Sequence, residues 1–532
     1  MLTLQSAAQA YVALMSGQRA RPLNGRFNGL PVLHSNQPEE VEGPGILINT
    51  APGEAYSTES GQRLRNAEYT FNGDFGVHLH HKYFPQYRNR ISPSGRRTEL
   101  TIGLILINPG PRPVQLKFLS GAVRNSFEAP YLANSMNGVR PLGPRPWNTG
   151  PGDATAVQML RNKLDSRISE TITLPPNSRS VLVQTDLPAL GIANALLRGR
   201  SDGPFQMAVV AARKPRSPDD LLAVLDQGVL APGRVYLNRI TEIQNRQVFS
   251  RVGGVALGDE YQASLTHNLT IDGALHVPLT STHRHTFGTN EVQVNPLASR
   301  MLDSSLDNVG TYGVRFNIDL NLRGDGAYEL VMSHPSAVGG KPFTAFRGSI
   351  QIRTEVGQQE FHVVLRSGQS LPLTSLELKP DANNSVRVTL VYPADATPGH
   401  LLSVVPAKQM VQLRELEQKL ELARRKPAHN KNSLLPLPPL EATTTQPVLG
   451  ETVAERLQRN SGLIAPIPPP LLNDAKVDSS TSNRSTETMI APINPPPVVE
   501  SPASKTQSQS LVDRYQHALD AQNEIMRGLM TR

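Results

Sequence analysis

The sequence predicts an all-β protein: two tandem β-sandwich-like modules, followed by a helix, a disordered Pro-rich linker and a C-terminal amphipathic helix. Three observations carry that reading. Val114, Leu116 and Phe118 alternate with Gln115 and Lys117, the period-two signature of a strand with one buried face. Gly (40 residues) and Pro (45 residues) are abundant, as many short strands joined by turns require. Beyond Pro393 the alternation stops, and no aromatic residue occurs before Tyr515.

Taken in order, residues 1–20 hold Ala8-Gln9-Ala10, the small-x-small pattern that signal peptidase reads. They are expected to be the end of a longer export signal, or else a short helix using Leu4, Ala8, Tyr11 and Met15. Residues 21–213 read as the first β-sandwich-like domain. There the apolar run Leu104–Ile107, the turn Asn108–Pro113 and the alternation from Val114 predict a hairpin. Residues 214–234 read as a helical hinge. Ser217-Pro218-Asp219-Asp220 supplies a capping hydroxyl, an early Pro and acids at the positive end of the dipole.

Residues 235–406 read as the second β-sandwich-like domain. Val314, Phe316, Ile318 and Leu320 alternate with polar residues, and the turn Arg323–Gly326 leads to Tyr328–Met332 as a second hairpin. Leu174-Pro175-Pro176 and Leu378-Lys379-Pro380 precede similar strands, an echo that two copies of one unit would produce. Residues 407–426 predict an amphipathic helix with the stripe Met410, Leu413, Leu416 and Leu420 and the pairs Glu415–Lys419 and Glu421–Arg425. Residues 427–509 are rich in Pro, Ser and Thr and bury too little apolar area to offset their ordering entropy. In residues 510–532, Ser510 and Asp513 start a helix whose face carries Leu511, Tyr515, Leu519, Met526 and Leu529.

Composition narrows the function. The chain has no cysteine, which removes disulfides, thiolate nucleophiles and Cys-bearing zinc sites. No apolar run approaches the ~18 residues of a membrane-spanning helix. The net charge of +8 favours anionic surfaces such as an acidic glycan. Aromatic residues make up 5% of the chain, too few for the stacking platforms of single-strand binders, so specific nucleic-acid binding is not expected.

The strongest chemical cluster is His78, His80 and His81, with Asp74 upstream. On a strand His78 and His80 share a face, the right reach for two ligands of one metal. His283 and His285 repeat the spacing. The plainer reading is a polar strand face or loop with ordinary hydrogen bonds, since His pairs without a carboxylate-x-His partner are weak signals of a metal. Nucleophile-elbow, phosphate-loop and dinucleotide signatures are absent from the sequence, and no cofactor is implied.

Arg21-Pro22-Leu23, Pro31–Thr50, Gly103–Val114, Val252–Gly258, Asn308–Tyr312 and Val391–Pro398 together resemble a cyanobacterial family of uncharacterised proteins, domain of unknown function 3370. The resemblance spans roughly Arg21 to Val405. It implies a periplasmic or exported location and a lineage rather than a mechanism.

The expectation is a non-catalytic exported protein of the cell envelope with a structural or binding role. Its partner is another envelope protein or a second copy, engaged through Leu511, Tyr515, Leu519, Met526 and Leu529. About 80 flexible residues would give that helix a reach of ~50 Å, and a helix so short needs a surface to pack on. The alternative is a glycan-active or metal-dependent hydrolase centred on His78, His80 and His81.

Overall fold

In the strand Arg315–Arg323, Phe316, Ile318, Leu320 and Leu322 are buried while the residues between them are half exposed. That alternation, repeated along the chain, builds an all-β architecture. The computed structural model describes residues 20–36, 40–85, 98–131, 137–144, 149–233, 252–283, 285–335, 343–380, 382–394 and 396–425. They lie within one compact unit, Met1–His429. The segment 1–19, the Pro-rich stretch 427–509 and the helix expected at 510–532 fall outside the described residues, as does 234–251.

Two sandwich-like modules emerge, each a large sheet packed on a four-stranded one. In the first, the large sheet runs Thr171–Leu174, Val114–Asn125, Ile192–Ser201, Asp74–Tyr83, Pro31–Asn36, Val252–Leu257, Asn295–Arg300 and Asp307–Asn308. Its partner sheet is Ser178–Pro188, Thr98–Asn108, Gln206–Ala212 and Gly45–Asn49. Leu33, Val77, Leu79 and Leu197 from one sheet meet Ile46, Leu104 and Val209 from the other in a single core. In the second module the seven-stranded sheet includes Glu260–Asn268, Arg315–Arg323, Asn384–Val391, Thr344–Thr354 and Gly357–Arg366. It packs on Leu275–Leu279, His400–Pro406, Gly326–Ser333 and Ser370–Leu378 around Phe316, Leu320, Ile350, Leu330 and Leu402. Each fully buried side chain of this size contributes about 1.5–3 kcal/mol, so each core is a substantial stabilising element.

The modules are not closed to one another. Pro31–Asn36 lies parallel to Asp74–Tyr83 on one side and antiparallel to Val252–Leu257, from the second half of the chain, on the other. In return Arg26–Phe27 pairs with Glu260–Asn268, and Gly138–Pro141 pairs with Gly357–Arg366, so the first half lends both flanking strands of the second large sheet. Pairing thus crosses the boundary read at 214–234. The helix Pro218–Asp226 forms there, its start fixed by the Asp220 carboxylate accepting the Ser217 N–H at 3.1 Å. It does not act as a free hinge: Leu221, Val224 and Leu225 join the first core. Gly103 leaves the space that Leu221 fills, since a Cβ there would lie 2.9 Å from it.

Both expected hairpins prove to be arches. Thr98–Asn108 and Val114–Asn125 belong to opposite sheets of the first module, and Arg315–Arg323 and Gly326–Ser333 to opposite sheets of the second. The cause is visible at Asn108. Its amide nitrogen donates to the carbonyls of Arg112 (2.8 Å), Leu174 (3.2 Å) and Pro175 (2.9 Å), and its oxygen accepts the Gly110 N–H at 3.0 Å. The turn is therefore anchored to a third segment instead of closing on itself. Alternating strands that feed a turn look the same in sequence whether the chain returns beside itself or crosses the sandwich.

Because strands are exchanged, the two halves should not fold apart. Residues 20–233 and 252–425 expressed separately are expected to lack a cooperative urea transition, whereas the co-expressed halves should copurify and unfold as one. Independent two-state unfolding of either half alone contradicts the exchanged-strand architecture.

Candidate functional site

Side-chain alternation decides where the expected histidines go. In Asp74–Tyr83, Phe75, Val77, Leu79 and Tyr83 point into the first core. His78 and His80 therefore share the other face, toward the second module, and His81 falls on the core side, bonded through Nε2 to Ser35 Oγ at 2.8 Å. The three cannot act as one ligand set. Among the described residues no group of three or more His, Cys, Asp or Glu side chains is arranged to hold a metal ion.

His34 joins His78 instead. The two are register partners in the parallel pair, with Nδ1 atoms 3.1 Å apart. Such a contact needs one donor and one acceptor. The Asn308 amide nitrogen lies 3.5 Å from His34 Nε2, which assigns the His34 proton to Nδ1 and that of His78 to Nε2. His80 Nδ1 lies 3.0 Å from the Asn194 amide, which also touches Thr155 Oγ1 at 2.5 Å. His78 stacks on Tyr312, Tyr312 on Tyr392, and the Tyr392 hydroxyl meets His400 Nε2 at 3.0 Å. His334 then packs against His400 with ring centroids 5.0 Å apart. A continuous line of rings, buried except for the half-buried Tyr312, thus runs from one module into the other.

The seam around this line is built on the helix Pro151–Leu160. Its residues are buried except Gln158, and Gly152, Ala154 and Ala156 let both large sheets approach it closely. Met159 and Leu160 pack against Leu196 of one sheet and Val391 of the other. Asp153 accepts from Ser349 Oγ at 2.9 Å and faces His362 Nδ1 at 3.0 Å. This is no Ser-His-Asp relay, because the serine bonds to the carboxylate and not to the imidazole. Arg161 pairs with Glu360 at 2.6 Å, and Arg198 with Glu260 at 2.8 Å. Arg161, Glu360, Arg198 and Glu260 are thus engaged with each other across the seam. His78 and His80 are 1% and 4% exposed, so a substrate has no approach to them. His283, of the second pair, contacts Asp307 at 3.4 Å, at a loop remote in sequence from His78.

Open space lies elsewhere. A cavity of about 470 Å³ in the first module is bordered by Leu182–Asp186, Val123, Asn125, Glu128, Asp165, Arg167, Ile168, Thr101 and Pro215. Its size falls within the ~300–1,000 Å³ of small-ligand sites. On one side the Asp165 carboxylate accepts from Arg124 and from Arg167, and Arg167 also bonds Glu128 and the Val123 carbonyl. Burial alone would raise the Asp165 pKa, but the Arg124 and Arg167 hydrogen bonds outweigh it and hold the carboxyl below its usual range. On the other side Asn125 Nδ2 donates to Thr185 Oγ1 at 3.3 Å and Thr101 Oγ1 to Asp186 at 3.4 Å. These residues carried no recognisable motif: they come from strands and loops far apart in sequence, and only the sandwich's open edge gathers them.

The profile of the family described as "Protein of unknown function (DUF3370)" matches residues 18–406. No curated protein matches the chain.

Burial holds these imidazoles neutral in the fold. It pushes His34 down to about 3 and His276 and His334 to about 4, and it carries His78 and His400 well below 6.5. The groups near His78 that act in the same direction are His34, His80 and His81. In the unfolded chain each titrates near 6.5, so as pH falls below that value the unfolded state takes up protons first and stability is lost. At pH 5 the loss is about 2 kcal/mol for each of His34, His276 and His334, together a large part of a domain's stability, and His78 and His400 act in the same direction. The expected result is full stability above pH 7 and a steep fall in melting temperature between pH 6.5 and 4.5. His34→Gln should flatten the pH slope of the unfolding free energy by about one proton. Melting unchanged from pH 7.5 to 5 would falsify the neutral-histidine seam.

Proposed function

The chain belongs to the DUF3370 family, and from that premise we propose that it is a non-catalytic, exported protein of the cyanobacterial cell envelope with a binding role. The observation that carries this reading is the use made of its titratable side chains. Histidines, arginines and carboxylates are spent on locking two sandwiches together, and the open cavity is lined by Asp165, Arg167 and Glu128, which are bonded to one another and, through Asp165, to Arg124 behind them. A wall whose charges already bond to one another suits recognition, in which fixed groups select a ligand's shape and polarity. A hydrolytic centre needs instead a base left free to take a proton from a substrate in reach.

Three sequence features support the location. The chain lacks cysteine, carries a net charge of +8 suited to anionic envelope glycans, and shows a small-x-small pattern at Ala8-Gln9-Ala10. Partner engagement through the terminal face Leu511, Tyr515, Leu519, Met526 and Leu529 is part of the proposal, on the strength of its amphipathic spacing.

Two measurements test it. Fractionation of the native host is expected to place the protein in the periplasmic or outer-envelope fraction, and recovery in the cytoplasm would end the proposal. Crosslinking in those fractions should give an adduct with full-length protein, with at least a several-fold loss when Ser510–Arg532 is removed. Equal recovery with and without that segment rules out the terminal face as the docking element.

A further inference from the structure

The cavity of the first module runs along the edge of a strand. Leu182 to Asp186, five successive residues of Ser178–Pro188, all border it. Side chains of a strand alternate between its two faces, so no single face can present five in a row. Thr185 turns inward and meets Asn125 of the large sheet, and Leu187, in the same phase, lies in the core. Gln184 and Asp186 turn outward and are exposed. Between the two rows, what faces the cavity is the main chain.

That main chain is unpaired on the cavity side. Ser178–Pro188 ends its four-stranded sheet and pairs with Thr98–Asn108 alone. In an antiparallel ladder alternate residues direct both N–H and C=O to the neighbour, and the others direct both away. From Val183 to Leu187 the register is regular, bracketed by irregularities at Leu182 and Pro188. The groups directed away have no main-chain partner among the described residues. Neighbouring edges are closed. On the other edge strand of the same sheet, Ile46 donates to the Val229 carbonyl at 2.8 Å and accepts from Ala231 at 2.9 Å. In the large sheet Phe118 N–H donates to the Glu170 carbonyl at 2.7 Å, and Gly121 N–H to that of Lys163 at 2.9 Å. Free edges recruit further strands, and folds cover them for that reason. Here one edge stays open, with a cavity of about 470 Å³ against it.

We propose that this edge binds an extended segment of a partner protein by strand addition, the segment's main chain pairing with Val183–Asp186. The proposal rests on the binding role argued above and names what is bound. Four residues at ~3.4 Å each give a pairing length of about 14 Å. The two faces of the strand set the segment's composition. Toward the core its side chains meet Val183, Val123 and Ile168, which suits aliphatic residues. On the outer side they lie beside Gln184 and Asp186. Asp186 accepts from Thr101 Oγ1 at 3.4 Å and forms no ion pair among the described residues, so a lysine or arginine across the pair complements it. Glu128, Asp165 and Arg167 wall the far side, which suits a single chain and not the broad sheet edge of a second copy.

Calorimetric titration and hydrogen exchange of the full-length protein at pH 7.5 test the proposal with four end-capped peptides. They are Lys-Val-Thr-Val-Lys, its counterpart Glu-Val-Thr-Val-Glu, and two forms of the first with N-methyl groups on alternate residues, one form for each phase. An added strand bonds through one phase only. Saturable binding of the lysine peptide is expected. One N-methylated form should bind about tenfold weaker or worse, and the other within about threefold of the parent. The glutamate peptide should be weaker by about fivefold or more. Amide exchange should slow within Val181–Leu187 and stay unchanged in Gly45–Asn49. Asp186→Lys alters an exposed side chain and should keep the wild-type melting temperature while weakening the lysine peptide about fivefold. Equal behaviour of the two N-methylated forms, or exchange slowed only outside this strand, overturns main-chain pairing. Equal or tighter binding of the glutamate peptide, or an unchanged affinity in Asp186→Lys, overturns the charge assignment. Saturation by none of the four overturns the site. The envelope location and the crosslinked adduct are read separately: an adduct that forms while all peptides fail keeps the binding role and removes this edge from it.

Discussion

The structure depends on one six-residue strand. Pro31–Asn36 forms backbone hydrogen bonds to Asp74–Tyr83 and to Val252–Leu257, two segments separated by more of the chain than any local preference could bridge. A strand's side-chain period is two, so a slip of one position would turn Leu33 and Ser35 out of the first core and bring His34 in. Register here is therefore strongly specified. It also fixes His34 opposite His78, and through that pair the position of Tyr312 and the second module. The same short strand sets the sheet order, the seam and the ring line.

A polar seam between two apolar cores is costly. Burying histidines without charge-stabilising partners disfavours their ionised form, and His78 Nε2 and His362 Nε2 have no hydrogen-bond partner among the described residues. An apolar seam would resemble the two cores on either side of it and tolerate many ways of stacking them. The contacts Arg161–Glu360, Arg198–Glu260, Asp153–Ser349 and His34–His78 tolerate one. Loss of stability to gain a unique arrangement is a known use of buried polar groups, and the acid sensitivity derived above is its direct consequence.

Much of the fold was legible in the sequence because alternation is a local property. Arg315–Arg323 and Asn384–Val391 lie where apolar and polar residues alternate, and the Ser217 start of the Pro218–Asp226 helix was readable from four residues. What escaped were decisions made at a distance. Whether the Asn108 turn folds back or crosses the sandwich depends on the carbonyls of Leu174 and Pro175. Whether 214–234 is a hinge depends on where Leu221 docks, and whether His81 joins His78 depends on which face is core. The candidate cavity was illegible for the same reason. Arg124, Asp165 and Asp186 are ordinary residues individually, and their charges acquire a direction only when three separate segments meet at the open edge of the first sandwich.

The seam and the cavity are connected through one strand. Val114–Asn125 carries Val123 and Asn125 on the cavity's border, and its neighbour Ile192–Ser201 carries Asn194 and Leu196 against the seam helix. A sheet held in register by the second module gives the cavity a wall that does not need the ligand to order it. Rigid walls reduce the entropy lost on binding, which matters most for a small ligand with few contacts to offer. On this argument the two modules have different tasks. The second braces the large sheet of the first from behind, and the first, braced in that way, holds the bonded Asp165, Arg167 and Glu128 of the cavity wall in place.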